Sequence, residues 1–379
     1  MRWRTLVLVL ASALLLNGTA FATQFVRTKG TGFTLDGKPF FVTGVNNHYL
    51  TSGSEQEVVR VFDDAVALGA NVVRTYLQPV IASLDGSVPT IWDWKSNAES
   101  SNLGVNGNYL LYWDASHHQM AINLGSNGVQ KIDFLLAEAH KRQLKLIIAF
   151  LDFWAYTGGA QQMRAWYGSD DQHQFFFADP RTQADYRSWV RYIIHRVNPL
   201  TGLTYRDDPT IFSWELMNEP EAQPDRVHDL WVAEMSAFVK SLDGNHLVSS
   251  GQDRLNMAEF ADPSIGFVTW HGYPLYYKLT PDRFNALIED YCGLAKAHDK
   301  PVLLEEFGYS RSQPDQSEVY QMWLDTIRSN PDCAGWVVWR LVSRQDSGRF
   351  PVDEYDRFDI HNDGDQTWLA LSDAARKGR

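Results

Sequence analysis

Two glutamates at the ends of apolar runs are the side chains best placed to do chemistry. One run is Ile211-Phe-Ser-Trp-Glu-Leu-Met-Asn218-Glu219-Pro220, the other Pro301-Val-Leu-Leu-Glu305-Glu306-Phe-Gly308. Each delivers a carboxylate where a buried strand should give way to a loop. Carboxylates carried on the ends of different barrel strands can converge on one bond, one lending a proton while the other attacks, which is the equipment for hydrolysing a glycosidic linkage. Glu219 sits between Asn218 and Pro220, and the proline turns the chain out of the strand. Its plainer reading is a loop carboxylate in a salt bridge. Glu305 and Glu306 are adjacent, so they should point to opposite faces of their strand. The residues alone leave open which of the two faces the cleft, and the other is expected to be structural.

The elements that must position these groups are legible as an alternation. Strand-like runs at Phe41–Val45, Asn71–Leu77, Leu144–Leu151, Ile211–Met217, Leu247–Gly251, Ile265–Trp270, Val302–Phe307 and Ala334–Leu341 are separated by helical patterns at Glu55–Leu68, Val129–Arg142, Gln183–Val197, Arg226–Leu242, Pro281–His298 and Gln316–Arg328, with a last helix at Thr367–Arg376. Near-continuous apolar strands divided by helices imply parallel pairing with both faces covered, and eight such units imply a single closed (β/α)8 TIM barrel over residues 23–379. An open doubly wound sheet is the alternative, but no Gly-rich fingerprint follows the first strand. Ahead of the barrel, Phe33-Thr-Leu-Asp36-Gly37-Lys-Pro-Phe reads as a small hairpin turning at Asp-Gly. The stretch from Asp85 to Gly128 breaks the rhythm and carries Trp92, Trp94, Tyr109, Tyr112 and Trp113, so it is expected to wall part of the cleft.

Composition excludes several classes. Residues 1–22 have a basic start, an apolar stretch and an Ala20-Phe21-Ala22 exit, the pattern of a signal peptide, so a secreted protein (extracellular or periplasmic) is expected. That run is too short to span a bilayer comfortably. The formal charge is −12, and more negative still without Arg2 and Arg4, which argues against nucleic acid or an anionic membrane and suits a neutral polymer. The 14 Trp, 16 Tyr and 20 Phe serve sugar faces or a core equally well and decide nothing alone. Cys292 and Cys333 fall in a helical run and just before a strand, and the balance tips slightly against a bridge between them. His117-His118 has no partner at ligand spacing, so neither metal nor cofactor is expected. A monomer is expected.

The chain resembles glycoside hydrolase family five, and within it the β-mannanase branch. The resemblance is densest over residues 175–220, from Phe-Phe-Phe-Ala-Asp-Pro-Arg through Arg196-Val-Asn-Pro to Asn218-Glu219-Pro220, and continues at Gly158-Gly159, His271-Gly-Tyr273, Glu305-Glu306-Phe-Gly308 and Gly335-Trp-Val-Val-Trp339. It implies Glu219 as acid/base, Glu306 as nucleophile, Asn218 on the substituent of the second sugar carbon, and Arg74 holding the nucleophile ionised. Read from the residues, Arg74 is alternatively an interior partner of Glu215. The resemblance also places His271 and Tyr273 beside the reactive sugar, Tyr273 as a donor to the nucleophile, and makes Trp339 the stacking platform. Trp154 is a second candidate platform, and Trp336 should face the outer helices. Burial or carboxylate repulsion is expected to keep Glu219 protonated while Glu306 stays charged, giving retention and a bell-shaped pH profile peaking below neutrality.

The implied activity is cleavage of β-1,4-mannosidic bonds, by endo attack or, if a loop closes one end of the cleft, by exo attack. The alternatives are a β-1,4-glucanase and a catalytically silent sugar-binding barrel, the latter disfavoured by the presence of both glutamates. One departure from the branch stands out. The third strand ends Asp152-Phe-Trp154 rather than Asn-Asn-Trp.

Overall fold

Eight five-residue-scale strands, buried along nearly their whole length, form one parallel sheet in the structure, a computed structural model that describes residues 25–91, 100–101, 104–351 and 356–378. They are β1 (Val42–Asn46), β2 (Val72–Tyr76), β3 (Lys145–Ala149), β4 (Ile211–Glu215), β5 (Leu247–Ser249), β6 (Val268–Gly272), β7 (Val302–Phe307) and β8 (Gly335–Val338). All eight predicted runs are therefore strands. Neighbours pair in the order β5-β4-β3-β2-β1-β8-β7-β6. The ring is completed between β5 and β6 by single hydrogen bonds rather than a ladder, from the amide of Gly266 to the Val248 carbonyl (2.8 Å) and from the amide of His271 to the Asp253 carbonyl (2.8 Å). The expected leader and the residues Trp92 and Trp94 lie outside the described residues.

Helices follow the strands in turn: α1 (Glu55–Leu68), α2 (Gln130–Lys141), α3 (Pro180–His195), α4 (Asp225–Leu242), α5 (Met257–Ala261), α6 (Pro281–His298), α7 (Gln316–Ser329) and α8 (Gln366–Lys377). Local chemistry sets their starts. Ser54 and Glu57 form a reciprocal capping box on α1, and Pro180 and Pro281 occupy first turns where a missing N–H costs nothing. Their apolar faces meet the outward strand residues in one continuous layer that includes Phe62, Leu136, Trp189, Trp231 and Trp323, and Trp336 lies in it as expected. α5 was not legible, since five residues give too little periodicity to read. The short helices Gly159–Trp166 and Phe175–Ala178 were missed for the same reason.

A second, smaller core fills the barrel's lower interior. Val42, Val72, Ile147, Phe212, Phe267, Leu303 and Val337 point inward there and meet Val26 and Phe33 from the N-terminal segment. That segment is a three-stranded antiparallel sheet whose hairpin turns at Asp36-Gly37, both at positive φ (51° and 75°) as a tight hairpin turn demands. Phe33 packs edge-on against Phe212 and Phe267. The hairpin is thus a stopper for one end of the barrel.

The excursion after β2 is ordered where it is described. Val80–Ser83, Leu111–Asp114 and Gln119–Ile122 form a small sheet, and Trp113 stacks on Trp166 at 6.0 Å. Cys292 and Cys333 are bridged, with Cα atoms 4.9 Å apart, against the expectation from sequence. Position along the chain hides the proximity: α6 runs back antiparallel to β7 and returns Cys292 beside the entry to β8. Closing a loop of 41 residues stabilises the fold by on the order of 3–4 kcal/mol.

Candidate active site

Arg74 organises the upper interior of the barrel. It lies on β2 two residues after Val72, so it points inward by alternation, and it is fully buried. Its guanidinium takes Glu215 in a fork (2.8 and 2.6 Å), reaches Glu306 and the Asn218 carbonyl (2.8 Å), and has Glu305 at 3.5 Å. Arg74 therefore contacts both Glu215 and Glu306, the two partners the sequence offered. A buried cation is costly alone, and carboxylates on two sides offset that cost. Gly251 makes room for this cluster, because a Cβ there would sit 2.5 Å from a Glu215 carboxylate oxygen and 2.1 Å from the Met217 carbonyl.

Both Glu305 and Glu306 reach Arg74, contrary to the expectation of opposite faces. Pairing of β6 with β7 steps from Trp270–Leu304 to His271–Glu306, which leaves Glu305 as an extra residue in a bulge and re-aims its neighbour. Glu306 is the better furnished of the two. One oxygen accepts from Tyr76 (2.5 Å) and Arg74, the other from Tyr273 (2.5 Å). Burial above all holds both phenols protonated, as donors. Tyr76 was missed at the sequence level, although its place two residues after Arg74 puts it on the same inward row.

Glu219 leaves β4 in the left-handed region, at φ +48°, a strained conformation for a non-glycine residue. Its amide donates to the Gly251 carbonyl (2.8 Å), fixing the turn. One carboxylate oxygen accepts from the Trp154 indole N–H (2.6 Å), and the other lies 2.6 Å from His271 Nδ1. Burial pushes the Glu219 carboxyl up, but the His271 hydrogen bond and charge, with Trp154 and Arg74, outweigh it and leave the group below the usual glutamate range. Burial likewise opposes the His271 imidazolium, and Glu306, Glu219 and Glu305 overcome it, holding the ring well above the usual histidine range. This corrects the expectation that burial and repulsion keep the proton on Glu219. His271 lies between the two carboxylates and holds the proton against Glu219.

Asn218 is clamped from both ends, its carbonyl by Arg74 and its amide by Asp152 (2.9 Å), which leaves one N–H for a ligand. Burial, then the Glu219 and Glu306 charges, push Asp152 up to about 7 against the Asn218 hydrogen bond. Trp339 is partly exposed at the end of β8 and stacks on Tyr76 (centroids 6.3 Å apart), with His48 at 5.8 Å. Trp154, at 43% exposure, touches Glu219 through its indole edge, a contact the sequence did not disclose. Among the described residues, Glu219, His271 and Glu306 are grouped with ligand atoms within 4.8 Å of one another, the one such grouping of potential metal donors. The Glu219 and Glu306 oxygens and His271 Nδ1 already have hydrogen-bond partners within the protein.

All the sequence-predicted site residues thus meet at the carboxyl end of one barrel. The model for GH family 5 beta-mannosidase-like proteins matches residues 126–329, more than half of the chain. The chain belongs to glycoside hydrolase family 5. Among its family 5 relatives, "Putative mannan endo-1,4-beta-mannosidase 9" of Oryza sativa subsp. japonica is 29% identical over 89% of this chain and 87% of its own length. "Probable mannan endo-1,4-beta-mannosidase A-1" of Aspergillus terreus is 27% identical over 87% and 82%. In three dimensions the endo-1,4-beta-mannanase from Rhizomucor miehei matches with a TM-score of 0.78 at 29% identity, covering 93% of this chain and 99% of that one. The family 5 enzyme is a glycoside hydrolase built as an eight-stranded parallel α/β barrel.

Proposed function

We propose that this enzyme is an exported, retaining β-mannan hydrolase that cuts within chains of β-1,4-linked mannose, with Glu306 as nucleophile and Glu219 as acid/base. The observation that carries the reading is the proximity of the two carboxylates, oxygens of which lie within 4.8 Å. Retaining glycosidases hold theirs about 5–5.5 Å apart, whereas inverting enzymes leave room for a water. In the first step a Glu306 oxygen bonds the anomeric carbon as Glu219 protonates the departing oxygen. In the second, Glu219 takes a proton from water, which releases the sugar from Glu306. In this reading Asn218 bonds the substituent at the second carbon and Trp339 stacks on the cleaved sugar.

Similarity to proteins named as mannan endo-hydrolases supports mannan and internal cleavage. The leader-like first 22 residues and the Cys292–Cys333 bridge support export to an oxidising compartment, and we take the enzyme to act as a monomer. Mannopentaose and cellopentaose are the discriminating substrates. Early mixed di- and trisaccharides from mannopentaose, released first as the β-anomer, are expected. Mannose alone would make the enzyme exo-acting, preferential cleavage of cellopentaose would make it a glucanase, and α-anomer first would exclude retention.

A further inference from the structure

Glu305 is fully buried, and neither of its carboxylate oxygens has a hydrogen-bond partner. Its Oε2 stands 3.5 Å from Arg74 Nε and 3.7 Å from His271 Nε2, and His271 Nε2 also lacks a hydrogen-bond partner. Two buried polar groups that face each other through charge contacts and no hydrogen bond call for an explanation, since leaving such groups unbonded is costly. The other face of the same imidazole supplies it. Nδ1 lies 2.6 Å from Glu219 Oε1.

We propose that Glu305 is a positioning residue that holds a proton on Nε2 of His271, so that Nδ1 and Glu219 share one further proton and Glu219 can deliver it. The proposal rests on the acid/base role given to Glu219 above. The reasoning is one of tautomers. A neutral ring protonated on Nδ1 donates to Glu219, which must then be a carboxylate with nothing to give. A neutral ring protonated on Nε2 presents Nδ1 as an acceptor, and Glu219 must carry the proton. An anion behind Nε2 selects the second arrangement. In the free enzyme the shared proton rests on Nδ1. As the glycosidic C–O bond breaks, its electron pair goes to the leaving oxygen, the proton passes through Glu219 to that oxygen, and a Glu306 oxygen bonds the anomeric carbon. The proton returns when Glu219 deprotonates the attacking water. The charged groups facing His271 are Glu215 and Glu219 on and after β4, Asp253 after β5, Glu305 and Glu306 on β7, and Arg74 on β2. Glu305 approaches Nε2, at 3.7 Å, whereas Glu219 and Glu306 approach Nδ1, at 2.6 and 3.6 Å.

Leaving-group dependence separates this role from a purely structural one. Glu305→Gln removes the anion at nearly constant volume. It is expected to lower kcat on mannopentaose by on the order of 10²-fold, with KM little changed. Cleavage of a dinitrophenyl mannobioside, whose leaving group needs no proton, should be largely spared, and Glu305→Asp should restore the wild-type pattern. Equal losses on both substrates, or none, would overturn the proposal. Imidazole nitrogen-15 shifts of the wild-type protein give a second test that needs no variant: Nε2 should stay protonated throughout the titration, and a neutral Nδ1–H form would sink the idea. If Glu219→Gln also cleaves mannopentaose normally, the acid assignment fails instead, and the ring measurement still decides the role of Glu305.

Discussion

The two ends of the barrel interior are built from the same strands and differ in kind. On β2 the inward side passes from Val72 to Arg74, on β7 from Leu303 to Glu305, and on β4 from Phe212 to Glu215, a change from apolar to ionisable side chains within about 7–10 Å. At the lower end Phe33, Phe212 and Phe267 interlock and ask nothing of one another but shape. At the upper end each charge depends on the others, and removing one leaves its partners buried and unpaired. Mutations below should therefore act on stability and mutations above on turnover.

The sharpest way to break this contrast is at the nucleophile. Glu306→Ala should reduce turnover by roughly 10⁴–10⁶-fold while the protein stays folded by circular dichroism; substantial residual activity would remove Glu306 from its role. Glu219→Gln should cost roughly 10²–10⁴-fold on oligosaccharides, with azide rescue on an activated substrate as the check. At the other end, Phe33→Ala should lower stability by about 3–5 kcal/mol in calorimetry, with activity per folded molecule unchanged, and a loss of kcat would show that the ends are coupled. Replacing both Cys292 and Cys333 by Ser should cost on the order of 3–4 kcal/mol, again without effect on kcat.

The smallest effect tests Asp152 by pH. Its carboxyl is raised to about 7, above the unfolded value, so the native state binds the extra proton between about pH 4 and 7. Its contribution is present at low pH and is lost as pH rises through 7. Asp152→Asn keeps an acceptor for Asn218 and removes the charge. It should match the wild type at pH 4 and exceed it by roughly 1–3 kcal/mol at pH 8, measured by denaturant melts; no difference at pH 8 would mean that Asp152 ionises freely.

The alternation of the two hydrophobic periods made the barrel legible, because buried parallel strands leave continuous apolar runs and long helices leave a stripe. Glu219 and Glu306 were legible from their place near the ends of apolar runs, and Arg74, Asn218, His271 and Tyr273 from the resemblance to family five. What escaped depends on register and on return paths. The bulge that turns Glu306 inward beside Glu305 leaves no mark in composition, and the proximity of Cys292 to Cys333 exists only once α6 has packed. Tyr76 looked like one more strand aromatic until Arg74 fixed its row. The state of Glu219 was misjudged because His271 was read as a sugar contact and not as a base between carboxylates.

At the junction of β5 with β6, isolated bonds replace a ladder; one of them anchors the backbone of His271 through the Asp253 carbonyl, and the same loop after β5 holds the backbone of Glu219 through the Gly251 carbonyl. A hoop parts where it is riveted least. On heating, the proton-handling pair should come apart before the helices melt, so inactivation should run a few degrees ahead of the loss of ellipticity, and staples set across that junction should raise the working temperature more than equal staples placed anywhere else on the ring.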